Sequence, residues 1–182
     1  MGLLYQVVLK RSTRTITLRI DAPLEEVLSR DAKAKGLTIN SLTNQIFKRY
    51  VEWDRFSEGL CMLPISRDIL KGVFDKLSEE ESRAAGENAG YFVPRELSSL
   101  LFGGFDSESL TRLLELWFSR FTSYEHKTEN SDHLFVVHHD INLNFSLYWA
   151  SFLQAALKDA GCSNIKTHPS QNMLTFSFTT PK

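Results

Sequence analysis

The chain has 182 residues, 42% of them hydrophobic and 24% charged, and carries a formal net charge of −1. That length suits one large domain or a small module joined to a modest one, with enough apolar material to bury a core. The near-neutral total conceals an asymmetry: residues 1–55 hold ten Lys/Arg against six Asp/Glu, and the remainder is correspondingly acidic. Lys10, Arg11, Arg14 and Arg19 fall in the first twenty residues, which contain no acid. Such a basic arm is an electrostatic footprint for nucleic acid. The two cysteines, Cys61 and Cys162, lie far apart without metal-binding spacing. They read as the reduced thiols of a cytoplasmic protein, with no disulfide framework.

In chain order, the apolar run Leu3–Leu9 is followed, not preceded, by basic residues, which makes a poor signal peptide. It reads instead as an edge strand or an extended arm. No segment is long and apolar enough to span a bilayer, so no membrane partner is expected. From Thr13 to Asp21 polar and apolar residues alternate strictly. Ile16, Leu18 and Ile20 share one face and Thr15, Thr17 and Arg19 the other, which is the period of a strand. Asp21 is placed to cap a helix and Pro23 fits its first turn. Leu24, Val27, Leu28 and Ala32 follow at helical spacing, and Gly36 stops the helix. Thr38 then caps a second helix with the apolar stripe Ile39, Leu42, Ile46, Phe47, Tyr50 and Val51.

One strand and two helices cannot enclose a core, and a unit this small rarely stands alone. A second copy, pairing strand with strand, would complete it, so a homodimer is expected. Residues 14–55, with the ITLRID strand, the LEEVLSRDAKAKGLT helix and turn and the NSLTNQIFKRYVEW helix, resemble the ribbon-helix-helix DNA-binding proteins of the Arc and MetJ type. The resemblance covers under a quarter of the chain. It implies an antiparallel two-stranded ribbon lying in the major groove of double-stranded DNA. Carried over to this sequence, it makes Thr15, Thr17 and Arg19 the base readers. An arginine fork suits guanine, and a threonine offers a hydroxyl and a methyl to base edges. Lys10, Arg11 and Arg14 are assigned to phosphates. The N-terminus of the second helix, at Thr38, Ile39, Asn40 and Ser41, is also assigned to phosphates, because helix amides and dipole favour an anion there.

Composition changes after Phe56. We read residues 1–56 as the dimerisation and DNA-binding module, 57–65 as a connector and 66–182 as a second domain. In that domain Ser66 caps a helix with Ile69, Leu70, Val73, Phe74 and Leu77. Ser78 and Glu81 form a capping box for a short helix that Gly86, Gly90 and Pro94 are expected to break. Asp106 or Ser107 opens a helix carrying Leu110, Leu113, Leu114, Trp117, Phe118 and Phe121. HLFVVHHD reads as a buried strand, and a long helix follows Asn144 with Phe145, Trp149, Phe152, Leu153, Ala156 and Leu157 on one face. Residues 164–168 and 173–179 make a hairpin around PSQN, with Leu174, Phe176 and Phe178 inward. The fold class is α+β throughout, the second domain holding a small antiparallel sheet.

The chemically loaded cluster outside the first module is His138, His139 and Asp140, a metal site only if His126, His133 or His168 joins it. Neighbouring residues on a strand face opposite ways, so polar residues at a strand's surface end are the favoured reading. Nucleophile elbows, phosphate-binding glycine loops and paired-carboxylate motifs are missing, and neither an enzyme nor a cofactor is expected. The expectation is a homodimeric, sequence-specific transcriptional regulator, a repressor by preference. Its second domain would sense a small-molecule effector, bind a protein partner or extend the oligomer. The alternative is an antitoxin-like protein whose second domain binds a partner protein.

Overall fold

The computed structural model describes residues 14–57 and 64–181. The chain divides into two compact units, Met1–Met62 and Leu63–Lys182. Its class is α+β, and among the described residues all strands lie in one antiparallel sheet.

In the first unit, α1 (Ala22–Ala34) and α2 (Ile39–Arg49) pack on each other, and α2 continues through a π-helical turn, Tyr50–Asp54, into the short α3 (Arg55–Ser57). The turn between α1 and α2 closes as a Schellman motif. Leu37 N–H donates to the Ala32 carbonyl at 2.9 Å and Gly36 N–H to Lys33 at 3.1 Å, with Gly36 at φ +65°. A side chain at position 36 would be strained in this left-handed conformation. Asp21 occupies the N-cap of α1, but its carboxylate makes no capping bond. Its backbone carbonyl accepts from Leu24 and Glu25 instead.

The expected strand does not form. Residues 14–21 are without helix or strand, and both faces of the alternation are exposed. The physical reason is local: a strand is stabilised by a neighbour's backbone, and no described part of this chain pairs with it. The first module is therefore seen as two helices, and its ribbon is not seen. Lys10, Arg11 and the Leu3–Leu9 arm lie outside the described residues.

The second unit begins with α4 (Arg67–Phe74), capped by Ser66, whose hydroxyl accepts from Ile69 N–H at 3.4 Å. Next come α5 (Glu79–Phe102), α6 (Ser107–Phe118), β1 (Ser123–Glu129), β2 (Asp132–His138), α7 (Leu143–Asp159), β3 (Ser163–Pro169) and β4 (Met173–Thr179). The sheet order is β1-β2-β4-β3. One sheet face supplies Phe135, Val137, Leu174, Phe176 and Phe178 to the core, all essentially buried, while Leu134 on the other face is 39% exposed. That one-sided burial is what an antiparallel sheet permits. Helix α7 covers the sheet and is itself covered by α5. Phe145, Phe152, Leu153, Ala156 and Leu157 come from α7 as expected, and Leu110, Leu114 and Phe118 from α6. Trp117, Phe118, Phe121, Trp149 and Phe152 form a continuous run of edge-to-face and tilted ring contacts, with centroids 4.9–5.7 Å apart.

Three readings are corrected here. Gly86, Gly90 and Pro94 do not break a helix but lie inside the 24-residue α5. With Ser82 and Ser98 they recur every fourth residue as a buried stripe of small side chains against α7. A Cβ at Gly86 would stand 2.0 Å from the Tyr148 carbonyl oxygen, and one at Gly90 2.4 Å from that of Phe152, so only glycine permits this crossing. The close approach leaves the hydroxyls of Ser82 and Ser98 buried without hydrogen-bond partners. Second, Ser123–Glu129, to which the sequence reading gave no element, is strand β1, so the described sheet has four strands. Third, in α4 only Leu70 and Phe74 turn inward, leaving Ile69 and Val73 61% and 52% exposed.

The two sheet edges are chemically guarded. Edge strand β1 presents Glu125, Lys127 and Glu129, and edge strand β3 carries Lys166, a register shift between Ser163 and Lys166, and a terminal Pro169.

Candidate nucleic-acid interface and the polar clusters of the second unit

Thr15, Thr17, Arg19 and Arg14 all lie exposed on the extended segment before α1. At the start of α2, Thr38 Oγ1 accepts from the Ser41 amide at 3.1 Å and donates to the Ser41 hydroxyl at 2.9 Å. The Ser41 amide is thereby committed to the cap. Leu42 N–H makes the first intrahelical bond, to the Thr38 carbonyl. That leaves the amides of Ile39 and Asn40 as the helix-end donors, since no carbonyl lies one turn earlier to receive them. All four residues of this turn are exposed. The structure brings Thr38 and Ser41 into contact and leaves Thr15, Thr17 and Arg19 on their own segment.

The burial of the first unit is lopsided. Only Ala32, Leu42 and Trp53 are buried among its described residues. Ile16, Leu18 and Ile20 are 67%, 54% and 47% exposed, and Leu24, Val27, Ile46, Tyr50 and Val51 are also exposed. Each large apolar side chain held half in water forgoes about 1 kcal/mol of the ~1.5–3 available on full burial.

In the second unit the triplet His138–Asp140 is not a surface cluster. His138 is exposed, whereas His139 is 4% exposed. His139 Nδ1 accepts from the Ile141 amide at 3.1 Å, which fixes the ring proton on Nε2. Nε2–H then donates to Ser146 Oγ at 2.7 Å, and that hydroxyl donates to the Ser170 carbonyl at 2.6 Å. The geometry resembles a nucleophile–base pair, but the proton runs the wrong way, since the histidine donates to the serine. The chain of bonds fastens the end of β2 to α7 and the β3–β4 turn. Asp140, at φ +53°, accepts from Thr122 Oγ1 at 2.9 Å and faces Arg67 at 3.6 Å.

His126 and His133 meet elsewhere, at the other end of β2. Glu115 Oε1 lies 2.7 Å from His126 Nδ1, and His126 Nε2 lies 3.0 Å from His133 Nδ1. His126 stacks on Phe135 and His133 on Phe178. Burial, and next the His126 charge, push the His133 pKa down. Exposed His168 joins neither group. Among the described residues no set of three His, Cys, Asp or Glu side chains is placed to hold a metal ion. The Cys162 thiol, pushed up to about 11 by burial, is inert at neutral pH.

Burial lowers the His139 pKa from 6.5 to about 4. The folded chain therefore binds fewer protons at this ring than the unfolded chain between those two values. Stability from His139 is complete above about pH 6.5 and is lost as pH falls towards 4. The shift corresponds to at most about 3 kcal/mol over that window, and solvent screening at this partly desolvated ring reduces it to about 2 kcal/mol. Urea unfolding at pH 7 and pH 4.5 should show that loss, and His139→Gln should remove most of the difference. An unchanged pH slope in the variant would assign it to other groups.

Polar reach was hard to see in the sequence. Asn142 caps α7, its Oδ1 accepting from Phe145 N–H at 2.9 Å while its Nδ2 donates to Asp75 at 2.7 Å. Asn144 Nδ2 donates to the carbonyls of Phe74 and Leu77, fastening the end of α4. The helix expected to follow Asn144 begins at Leu143, so Asn142 is its cap and Asn144 lies in its first turn, and no sequence signal gave their distant partners.

Comparison with protein-family models, curated proteins and solved structures finds no match to this chain. Among the described residues no helix is long and apolar enough to cross a membrane.

Proposed function

We propose that the chain is a sequence-specific DNA-binding transcriptional regulator, in the first instance a repressor, acting as a homodimer through residues 1–56. Two copies of residues 14–21 pair as an antiparallel ribbon, placing Thr15, Thr17 and Arg19 against base edges in the major groove. Arg14, Lys10, Arg11 and the α2 N-terminus engage phosphates. The observation that carries this reading is the half-built core of the first unit. Ile16, Leu18 and Ile20 alternate with the reading residues and remain half exposed or nearly so, together with the outer stripes of α1 and α2. A folded unit holding so much apolar surface in water marks an association face. The alternation makes a symmetric strand pair the arrangement that hides all three residues at once.

The decisive experiment is selection of bound duplexes from a random library by the purified chain, alongside its mass in solution. The expected outcome is a dimer and a palindromic or repeated half-site. A monomer without a recovered consensus removes the reading. With the operator known, Arg19→Ala should weaken binding by about 1–3 kcal/mol and relax preference at one base of each half-site. Unaltered preference would take Arg19 out of the reading set.

The antitoxin alternative gains less support, because the second unit has a closed core of its own instead of an unfolded tail waiting for a partner. An enzymatic role is disfavoured by the direction of the His139–Ser146 bond.

A further inference from the structure

Near the turn of the β1–β2 hairpin, imidazoles from the two strands meet edge to edge. In the sheet register His126 lies opposite Phe135 and Thr128 opposite His133, so the two histidines are diagonal neighbours on one face. Their ring planes differ by 20° with centroids 5.2 Å apart. Stacking holds both in place, His126 on Phe135 at 3.8 Å and His133 on Phe178 at 4.9 Å. Glu115 of α6 accepts from His126 Nδ1–H at 2.7 Å, which turns His126 Nε2 to His133 Nδ1 at 3.0 Å. That contact is a hydrogen bond only while one hydrogen lies between the facing nitrogens. A first added proton is accommodated, because His126 becomes an imidazolium against Glu115 and donates to His133 Nδ1. A second leaves two N–H groups pointed at each other and two charges in adjoining rings. Thr128 Oγ1, 3.2 and 3.5 Å from the two nitrogens, can accept an N–H but offsets no charge.

The charges bearing on His133 are His126, Glu115 of α6 and, on its own strand, Asp132. Tyr124 on β1 is held as a neutral phenol by burial and by Glu115, and β4 meets the pair with uncharged Phe178. Burial and the His126 charge outweigh the two carboxylates, so the His133 pKa lies below its ordinary 6.5. Strand β1 is an edge, bonded along one side to β2.

We propose that the His126–His133 bond is an acid-sensitive latch, holding the turn end of edge strand β1 on the sheet while one hydrogen is shared and releasing it when both rings are charged. With the His133 pKa lowered on folding, the latch is closed above about pH 6.5 and opens as pH falls below it. Release strips one side of β2 of its backbone partners, so acid turns a guarded border into one that accepts a strand. The proposal stands on the second unit alone and does not depend on DNA reading.

The test is amide hydrogen exchange of the full chain at pH 7 and pH 4.5, expressed as protection relative to unstructured peptide at each pH. Global unfolding, the His139 contribution included, lowers protection in all four strands alike. A further loss is expected at the β1 amides, about tenfold beyond that of β3 and β4. His133→Gln keeps a donor beside His126 Nε2 but cannot be charged, and should remove the excess. His139→Gln should leave it. Equal losses across the sheet, or an excess that survives in His133→Gln, would overturn the proposal. Ring-nitrogen spectra of the native chain decide the matter even if the variant unfolds. The facing nitrogens should share one hydrogen at pH 7 and carry one each at pH 4.5. One shared hydrogen at both pH values, or none shared at pH 7, denies the latch.

Discussion

Gly86→Ala should lower the unfolding free energy of the second unit by about 3 kcal/mol, an overpacking loss at the upper end of the usual range. The new methyl carbon would sit 2.0 Å from the Tyr148 carbonyl oxygen, 2.8 Å from its carbon and 3.0 Å from its Cα. All three are backbone atoms of α7, which no rotamer change can move aside. Relief needs α5 and α7 to separate by more than 1 Å over a crossing that also includes Gly90 against Phe152, and separation unpacks the small-residue stripe along its length. Alanine's better helix propensity returns only about 0.5–1 kcal/mol. Gly72→Ala in α4 is the internal control, because nothing lies within 4 Å of the added carbon. That substitution should stabilise by the same propensity difference. Thermal unfolding reads both, with a drop of roughly 10 °C or more for position 86. Similar behaviour of the two variants would mean that the crossing is loose.

Leu18→Asp should abolish dimerisation at micromolar concentration and DNA binding with it, leaving the second unit folded. In the proposed ribbon Leu18 is the middle residue of the inward face, so each dimer would enclose two carboxylates with no cation facing them. Burying an unpaired charge costs several kcal/mol even after relaxation. A loss of at least about 4 kcal/mol weakens the dimer roughly a thousandfold. Thr17→Ala, one residue along on the opposite face, should keep the dimer and alter only base preference. Sedimentation of the two variants separates the faces. A Leu18→Asp chain that still dimerises as the native chain does would show that the association surface lies elsewhere.

Legibility differed sharply between parts of the chain. Helix α7 was plain because Phe145, Phe152, Leu153, Ala156 and Leu157 recur at helical steps and end at Gly161. Strand β4 was plain because Leu174, Phe176 and Phe178 alternate. Those elements bury aliphatic and aromatic side chains within one chain, which is the signal periodicity carries. Helix α5 was misread because its buried face is made of absent side chains: glycine and proline punctuate most helices, and here they let another helix approach. Strand β1 was missed because its inward residues are Tyr124 and His126, which do not look like a hydrophobic alternation. The segment 14–21 is the opposite case. Its pattern is the strongest strand signal in the chain, yet no strand forms, since the backbone it would bond is not supplied by the described residues. In the candidate interface the Thr38 cap was readable and the commitment of the Ser41 amide was not.

The guarded edges of the four-stranded sheet bear on how copies of this chain can meet. Charge on β1 and the irregular, proline-ended β3 make both borders poor templates for a visiting strand. For a chain that dimerises as proposed, partnering through the sheet of the larger unit would thereby be penalised. Among the described residues the alternating segment ahead of α1 is left as the one place that accepts a strand readily. In the proposed dimer, fidelity of assembly would then owe as much to what the second unit's sheet refuses as to what residues 14–21 accept.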